Sequence, residues 1–505
     1  MTSRTRTLAL RGALALVLVG ALAGLALARP GGGESFSGGG GHSSGGSGGG
    51  GGGQLAFELV FWILRLVIYY PVIGLPLLGL VIAGVVISAR RQHKNKDWDS
   101  GPPVQLKRAV RLDKLRARDP EFSQVLFEDF AFRLFAEAQR KRATPAELAT
   151  VAPYVSEAAR NHLLTRGPAQ PVASVVVGAL RNTELALPSP AVLAAAEADP
   201  AAPRAVVRLQ VEFEANVTTR QGTTYSVETW TFCRDAKVSS RPPGAAKGFP
   251  CPNCGAPWQA SATGTQACAS CGQVVDNGRF DWTVERIALA SSEQRPPTLT
   301  TEVPERGTEL QTYRAGNVDA EWASLEADDP AITEDSLVAR LKLIYGDLNA
   351  AWANNEITPV RGLVSDGLFD YLQYWVDAYK QQKLRNQLTD MTITHTLVAK
   401  VVRDKHYDAI TLRVWATGKD FVINTDTGRV VRGSKTKNRA YTEYWTLIRS
   451  RTRTGLPNPK RSCSNCGAEL KITMAGACEF CNAHVTAGEF DWVLSKIEQD
   501  DTYRG

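Results

Sequence analysis

The chain has 505 residues, 44% hydrophobic and 22% charged, with a formal net charge of +7. At about 150 residues per domain that length allows about three units, and the composition is that of a globular chain able to bury a sizeable core. A charge this mild suits an acidic partner or an anionic membrane surface without demanding either. Of nine cysteines, eight fall into four Cys-x-x-Cys pairs. In a chain this long, paired two by two, that pattern points to metal rather than disulfides, and so to a compartment that keeps thiols reduced.

Residues 1–28 read as a secretory signal. Arg4, Arg6 and Arg11 form the positive region, an Ala/Leu/Val run follows, and Ala26-Leu27-Ala28 is a small-x-small cleavage site. Residues 29–54 are nearly all Gly and Ser and predict a flexible coil, in which His42 is solvated. Residues 55–89 predict a single transmembrane segment. From Leu66 to Ser88 no residue carries a formal charge, and a helix of that length is about 34 Å long, enough to cross a bilayer core. Pro71 and Pro76 are tolerated as kinks, and Trp62, Tyr69 and Tyr70 suit the interface. Glu58 and Arg65 leave the start of the span open. Arg90, Arg91, Lys94 and Lys96 follow at once, which places the carboxyl side in the cytoplasm whether the signal is cleaved or retained as an anchor. The expected location is a bacterial inner membrane, single-pass, with every cysteine inside.

From about Val104 the chain repeats at an offset of about 210 residues. Asp119-Pro120 opens the first copy (104–292) and Asp329-Pro330 the second (329–505), with 293–328 as an acidic, Pro-rich linker. Phe122, Leu126, Phe130, Leu134 and Ala138 keep a helical period in one; Leu337, Leu341, Ile344, Leu348 and Trp352 keep it in the other. Shorter helical stretches follow near Ala146–Thr165 and Pro359–Leu384. Strands are expected at Ala205–Val217 and Tyr225–Arg234, and at Met391–Arg403, Tyr407–Thr417 and Ala440–Arg449, with a turn at Asp426-Thr427-Gly428. The run from Tyr225 to Arg234 parallels that from Ala440 to Arg449, which sets Cys233 against Ile448 as a core thiol. Each copy ends in a cysteine module and then Gly-x-Phe-Asp-Trp, at Gly278–Trp282 and Gly488–Trp492. Helices first and then a meandering sheet is an α+β architecture used twice.

The first module (251–272) supplies Cys251, Cys254, Cys268 and Cys271, and the second (463–481) supplies Cys463, Cys466, Cys478 and Cys481. Two Cys-x-x-Cys knuckles give four thiolates, a set that suits zinc in a closed, structural site; two such ions are expected. His484 lies close to the second set as a substitute ligand, although four cysteines already complete it.

The second copy resembles the Tim44-like domain family, named for a mitochondrial import-motor tether. The resemblance rests on Leu348-Asn-Ala-Ala-Trp352, on the run Phe421–Gly433 with its Asn-Thr-Asp-Thr-Gly turn, and on Thr442-Glu443-Tyr444-Trp445-Thr446. It covers about Ile332–Arg449 well and Phe122–Arg234 weakly. It implies two tandem cone-shaped domains of the nuclear-transport-factor-two-like kind, each with a curved sheet and a pocket, here with a zinc ribbon inserted before the last strand. It also implies membrane association and protein binding rather than catalysis. Duplication and the ribbons depart from the family, so import-motor partners do not carry over.

Three functions follow as expectations. The first is a membrane-tethered binding or scaffolding module with an unidentified protein partner. The second is an enzyme with acid–base chemistry in a cone pocket, for which His395, Asp390, Tyr371 and Tyr374 are the candidates. The third uses a basic face. Arg429, Arg432, Lys435, Lys437 and Arg439, extended by Arg449, Arg451, Arg453, Lys460 and Arg461, offer contact to anionic lipid headgroups. Sparse aromatics in that run disfavour nucleic acid.

Overall fold

Both halves fold from the same start. A hydroxyl side chain caps the first long helix of each: Ser123 Oγ accepts from Leu126 N at 3.3 Å, and Thr333 and Ser336 cap each other reciprocally at 3.0 and 3.1 Å. The structure, a computed structural model, describes residues 69–70, 110–166, 170–199, 201–241, 249–261, 264–294, 308 and 310–505, apart from 459, 461, 474–475, 484, 501–502 and 504. The signal, the Gly/Ser segment and residues 90–96 lie outside the described residues. So does the transmembrane segment except for Tyr69 and Tyr70, along with Arg461 and His484. Among the described residues no helix is long and apolar enough to cross a membrane.

The first lobe runs α1 (Asp113–Arg118), α2 (Gln124–Lys141), α3 (Pro145–Leu148), α4 (Glu157–Leu164), β1 (Val172–Ala186), α5 (Pro190–Ala198), β2 (Val206–Thr219), β3 (Gly222–Asp235), β4 (Ala260–Ser261), β5 (Gly264–Cys268) and β6 (Thr283–Gln294). Its antiparallel sheet has the order β1-β2-β3-β6, and β4 and β5 pair inside the cysteine module. The second lobe runs α6 (Val318–Asp328), α7 (Glu334–Ala353), α8 (Asp366–Gln381), β7 (Leu384–Arg403), β8 (Tyr407–Asn424), β9 (Val430–Gly433), β10 (Arg439–Ser450) and β11 (Val493–Gln499). Its order is β7-β8-β10-β11, with β9 folded back on β8. This is a mixed α+β chain, each lobe carrying its cysteine module between the last two strands of the main sheet.

The same contacts recur in both lobes. Arg234 Nη2 reaches Asp119 Oδ2 at 2.6 Å and Arg449 Nη2 reaches Asp329 Oδ2 at 2.8 Å; each guanidinium also lies over a tryptophan, Trp282 at 4.6 Å and Trp492 at 4.7 Å. Trp230 Nε1 donates to Glu228 at 2.8 Å and Trp445 Nε1 to Glu443 at 2.9 Å. Val155 bridges to Val284 as Val364 bridges to Leu494. The buried Cys233 occupies the place of Ile448, and burial pushes its thiol up to about 12.

Three features differ from the sequence reading. The stripe on α2 is centred on Phe127, Ala131, Leu134, Phe135 and Ala138, one position on from Leu126 and Phe130, which are only half-buried. Strand β1 was not expected. The stretch read as a linker is partly folded: α6 buries Val318 and Leu325, and the carbonyls of Thr308 and Leu310 accept from Arg413 on β8. The lobes also touch. Val176 and Tyr225 of the first pack into the hydrophobic core of the second, and Lys496 Nζ reaches Glu128 Oε2 at 2.6 Å.

Candidate metal centres

Each cysteine module brings its four sulfurs together. Within each set the sulfurs lie within 4.8 Å of one another. Cys251 Sγ is 3.8 Å from Cys271 Sγ and Cys254 Sγ is 3.9 Å from Cys268 Sγ; the second set gives 3.8 Å for Cys463–Cys481 and 4.0 Å for Cys466–Cys478. A disulfide needs about 2.05 Å, so these are free thiols. A tetrahedron with metal–sulfur bonds of about 2.3 Å has an edge of about 3.8 Å, and the observed separations match it.

The knuckles explain how the chain achieves this. Gly255 N donates to Cys251 O, Gly272 N to Cys268 O and Gly467 N to Cys463 O, at 2.8–2.9 Å, and Gly255, Gly272 and Gly467 all have φ near +70° (75, 67 and 75). The fourth knuckle uses Asn482 at φ 60, the non-glycine residue type that best tolerates this region. In both modules one cysteine of the first pair and one of the second are buried, while Cys254 and Cys466 are exposed. Hydrogen bonds from the side chain of Asn253 and the backbone of Gln273 lower Cys271 to about 6; those from Asn465 and Ala483 do the same for Cys481. The two asparagines were not singled out from sequence. The signal was there: each occupies the third position of a Cys-x-Asn-Cys.

Each module is fixed to its own lobe. Trp258 Nε1 donates to Ala149 O at 2.9 Å, holding the first against the turn before α4. Leu470 and Ile472 of the second lie against Gly362, in the matching turn before α8. All eight predicted ligands are therefore brought together, four and four, as sites that could each hold one metal ion.

The other candidates are dispersed. His395 lies against Trp415 with centroids 4.9 Å apart, Asp390 pairs with Lys419, and Tyr374 Oη accepts from Asn216 of the first lobe at 3.3 Å. Tyr371 meets Trp375 edge-on. Of the basic residues, Arg429, Arg432, Lys435 and Lys437 are exposed around β9, beside the exposed Val430 and Val431. Arg439 and Arg449 do not belong to that face. Both are buried, Arg449 because it closes the pair with Asp329. Arg451 is drawn to Asp328 at 2.5 Å.

Compared with known families, residues 319–460 match the Tim44-like domain. The match takes in α6 through β10 and ends just before Cys463. No curated protein matches the chain in sequence.

Proposed function

We propose that this chain, with its Tim44-like domain at residues 319–460, is a membrane-tethered scaffold that presents two zinc-braced lobes to a protein partner in the cytoplasm. On this reading both lobes are cone-shaped, nuclear-transport-factor-two-like domains of that family, and the cell is bacterial. The observation that carries the proposal is the repeated framework: the same buried pairs, the same strand order and the same four-sulfur module occur twice. An all-cysteine set leaves no open coordination position, so zinc there supplies rigidity. A rigid body used twice behind a tether suits binding more than turnover.

Protease protection on intact and opened cells tests the topology. The lobes should be cleaved only after opening; cleavage in intact cells would place them outside and end the proposal.

The exposed hairpin favours a second reading, contact with anionic headgroups. Four cations flank two exposed valines there, and each cation near an anionic surface contributes about 1 kcal/mol. Flotation with anionic vesicles across a salt series should fall sharply when Arg429, Arg432, Lys435 and Lys437 are all changed to Gln. Equal flotation of that variant would remove the hairpin from the account, and DNA binding without vesicle binding would replace lipid with nucleic acid.

A further inference from the structure

The four sulfur ligands of each cluster are not equivalent, and they differ in the same way in both lobes. Cys251 and Cys268 are buried, Cys271 is half-buried and Cys254 is exposed; Cys463, Cys478, Cys481 and Cys466 repeat that order. The first cysteine of each module takes backbone N–H bonds from its own knuckle, Cys251 from Asn253 and Cys254, Cys463 from Asn465 and Cys466.

The half-buried fourth cysteine is held from two sides. Asn253 Nδ2 donates to Cys271 Sγ at 3.5 Å, and the backbone of Gln273 donates to the same sulfur. In the second lobe Asn465 Nδ2 donates to Cys481 Sγ at 3.5 Å, joined by the backbone of Ala483. The Asn465 amide is fixed in that sense: its Oδ1 accepts from Arg453 Nη2 at 3.4 Å, and Arg453 lies over Phe490 at 4.6 Å.

Cys254 and Cys466 have neither burial nor such a donor. Among the described residues no N–H donates to either sulfur, and each faces another sulfur, Cys268 at 3.9 Å and Cys478 at 4.0 Å. An N–H that engages a thiolate lone pair makes it a weaker nucleophile, and attack also needs access. Both conditions single out the same cysteine in each module.

We infer that Cys254 and Cys466 are modification sites: each is the ligand through which a peroxide or another small electrophile opens its cluster, while Asn253 and Asn465 shield the neighbouring Cys271 and Cys481. The inference rests on the reading of the clusters as zinc sites. The Cys254 thiolate attacks one oxygen of hydrogen peroxide; an S–O bond forms, the O–O bond breaks and hydroxide leaves. The Cys268 thiolate then attacks that sulfur; an S–S bond forms, the S–O bond breaks and a second hydroxide leaves. Two electrons pass from the sulfurs to the peroxide, and the cluster keeps only two thiolates, too few to retain its ion. Cys466 and Cys478 do the same in the second lobe.

The test uses the detergent-solubilised full chain, purified under reducing conditions, desalted and assayed for zinc. Limiting iodoacetamide, mapped by peptide mass spectrometry, should place its first label on Cys254 and Cys466. Limiting hydrogen peroxide should release zinc to a chromogenic chelator and give Cys254–Cys268 and Cys466–Cys478 disulfides. Asn253→Leu and Asn465→Leu should raise labelling of Cys271 and Cys481 by about fivefold, the effect of one lost hydrogen bond. The labelling pattern of the parent decides the inference even where a variant loses its ion. A first label on Cys271, Cys481 or a buried ligand, or peroxide that leaves zinc bound, would overturn the inference while the zinc reading stands. A parent chain without zinc would overturn that reading and this inference with it.

Discussion

Asp119 and Asp329 are each buried against an arginine from the strand that leads into the cysteine module, so each ties a helix start to a module. Burial raises the pKa of Asp119, but the Ser240 hydroxyl at 2.7 Å and Arg234 outweigh burial and hold it below the ordinary carboxylate value. A carboxylate lowered on folding contributes stability that is present above its unfolded pKa and lost as pH falls through its folded one. Asp119→Asn should therefore cost about 3–5 kcal/mol at neutral pH by leaving Arg234 buried and unpaired. The difference from the parent should shrink below about pH 4. Urea denaturation across pH checks both; equal stability at pH 7 would show that the pair contributes nothing net. None of this was legible in the sequence. Asp-Pro marked where each copy begins, but an aspartate and an arginine more than a hundred positions apart announce no pairing.

The elements divide by how local their signal is. The four knuckles were legible because Cys-x-x-Cys followed by a residue that tolerates a positive φ, glycine in three and Asn482 in the fourth, fixes its own geometry over five residues. The helices were legible in place but not in face: α2 slid by one position because its stripe is set by the sheet it meets, where Phe135 stacks on Phe213 at 4.4 Å. Strand β1 was hidden because its pairing with β2 slips at three points, Val172/Ser174, Val177/Ala179 and Asn182/Glu184, which breaks the two-residue alternation a strand would show. Helix α5 buries nothing and so had no stripe to find. The Gly-x-Phe-Asp-Trp repeat was seen but not its purpose. Gly278 at φ 74 and Gly488 at φ 73 return the chain against the preceding strand: Asp235 N donates to Gly278 O and Ser450 N to Gly488 O, each at 2.7 Å. A methyl group there would meet the carbonyl oxygen of Cys233 or Ile448 at 2.8 Å. Gly278→Ala and Gly488→Ala should each destabilise the protein by about 1–3 kcal/mol from backbone strain alone. Denaturation midpoints that do not move would mean that the modules are not anchored through these glycines.

At the scale of the whole molecule, two lobes with one strand order meet through Glu128–Lys496 and through Val176 and Tyr225, and each closes on a four-sulfur cluster. The lobes differ at one matching position after the opening aspartate, where Trp352 is buried in the second lobe and Arg142 is half-exposed in the first. We propose that both clusters hold structural zinc. Elemental analysis of the protein purified under reducing conditions without added metal tests it most directly. Two zinc ions per chain, falling to one in Cys254→Ser and in Cys466→Ser alike, is the predicted result. Iron with acid-labile sulfide, or a metal-free chain in which the paired cysteines are oxidised to disulfides, would contradict it.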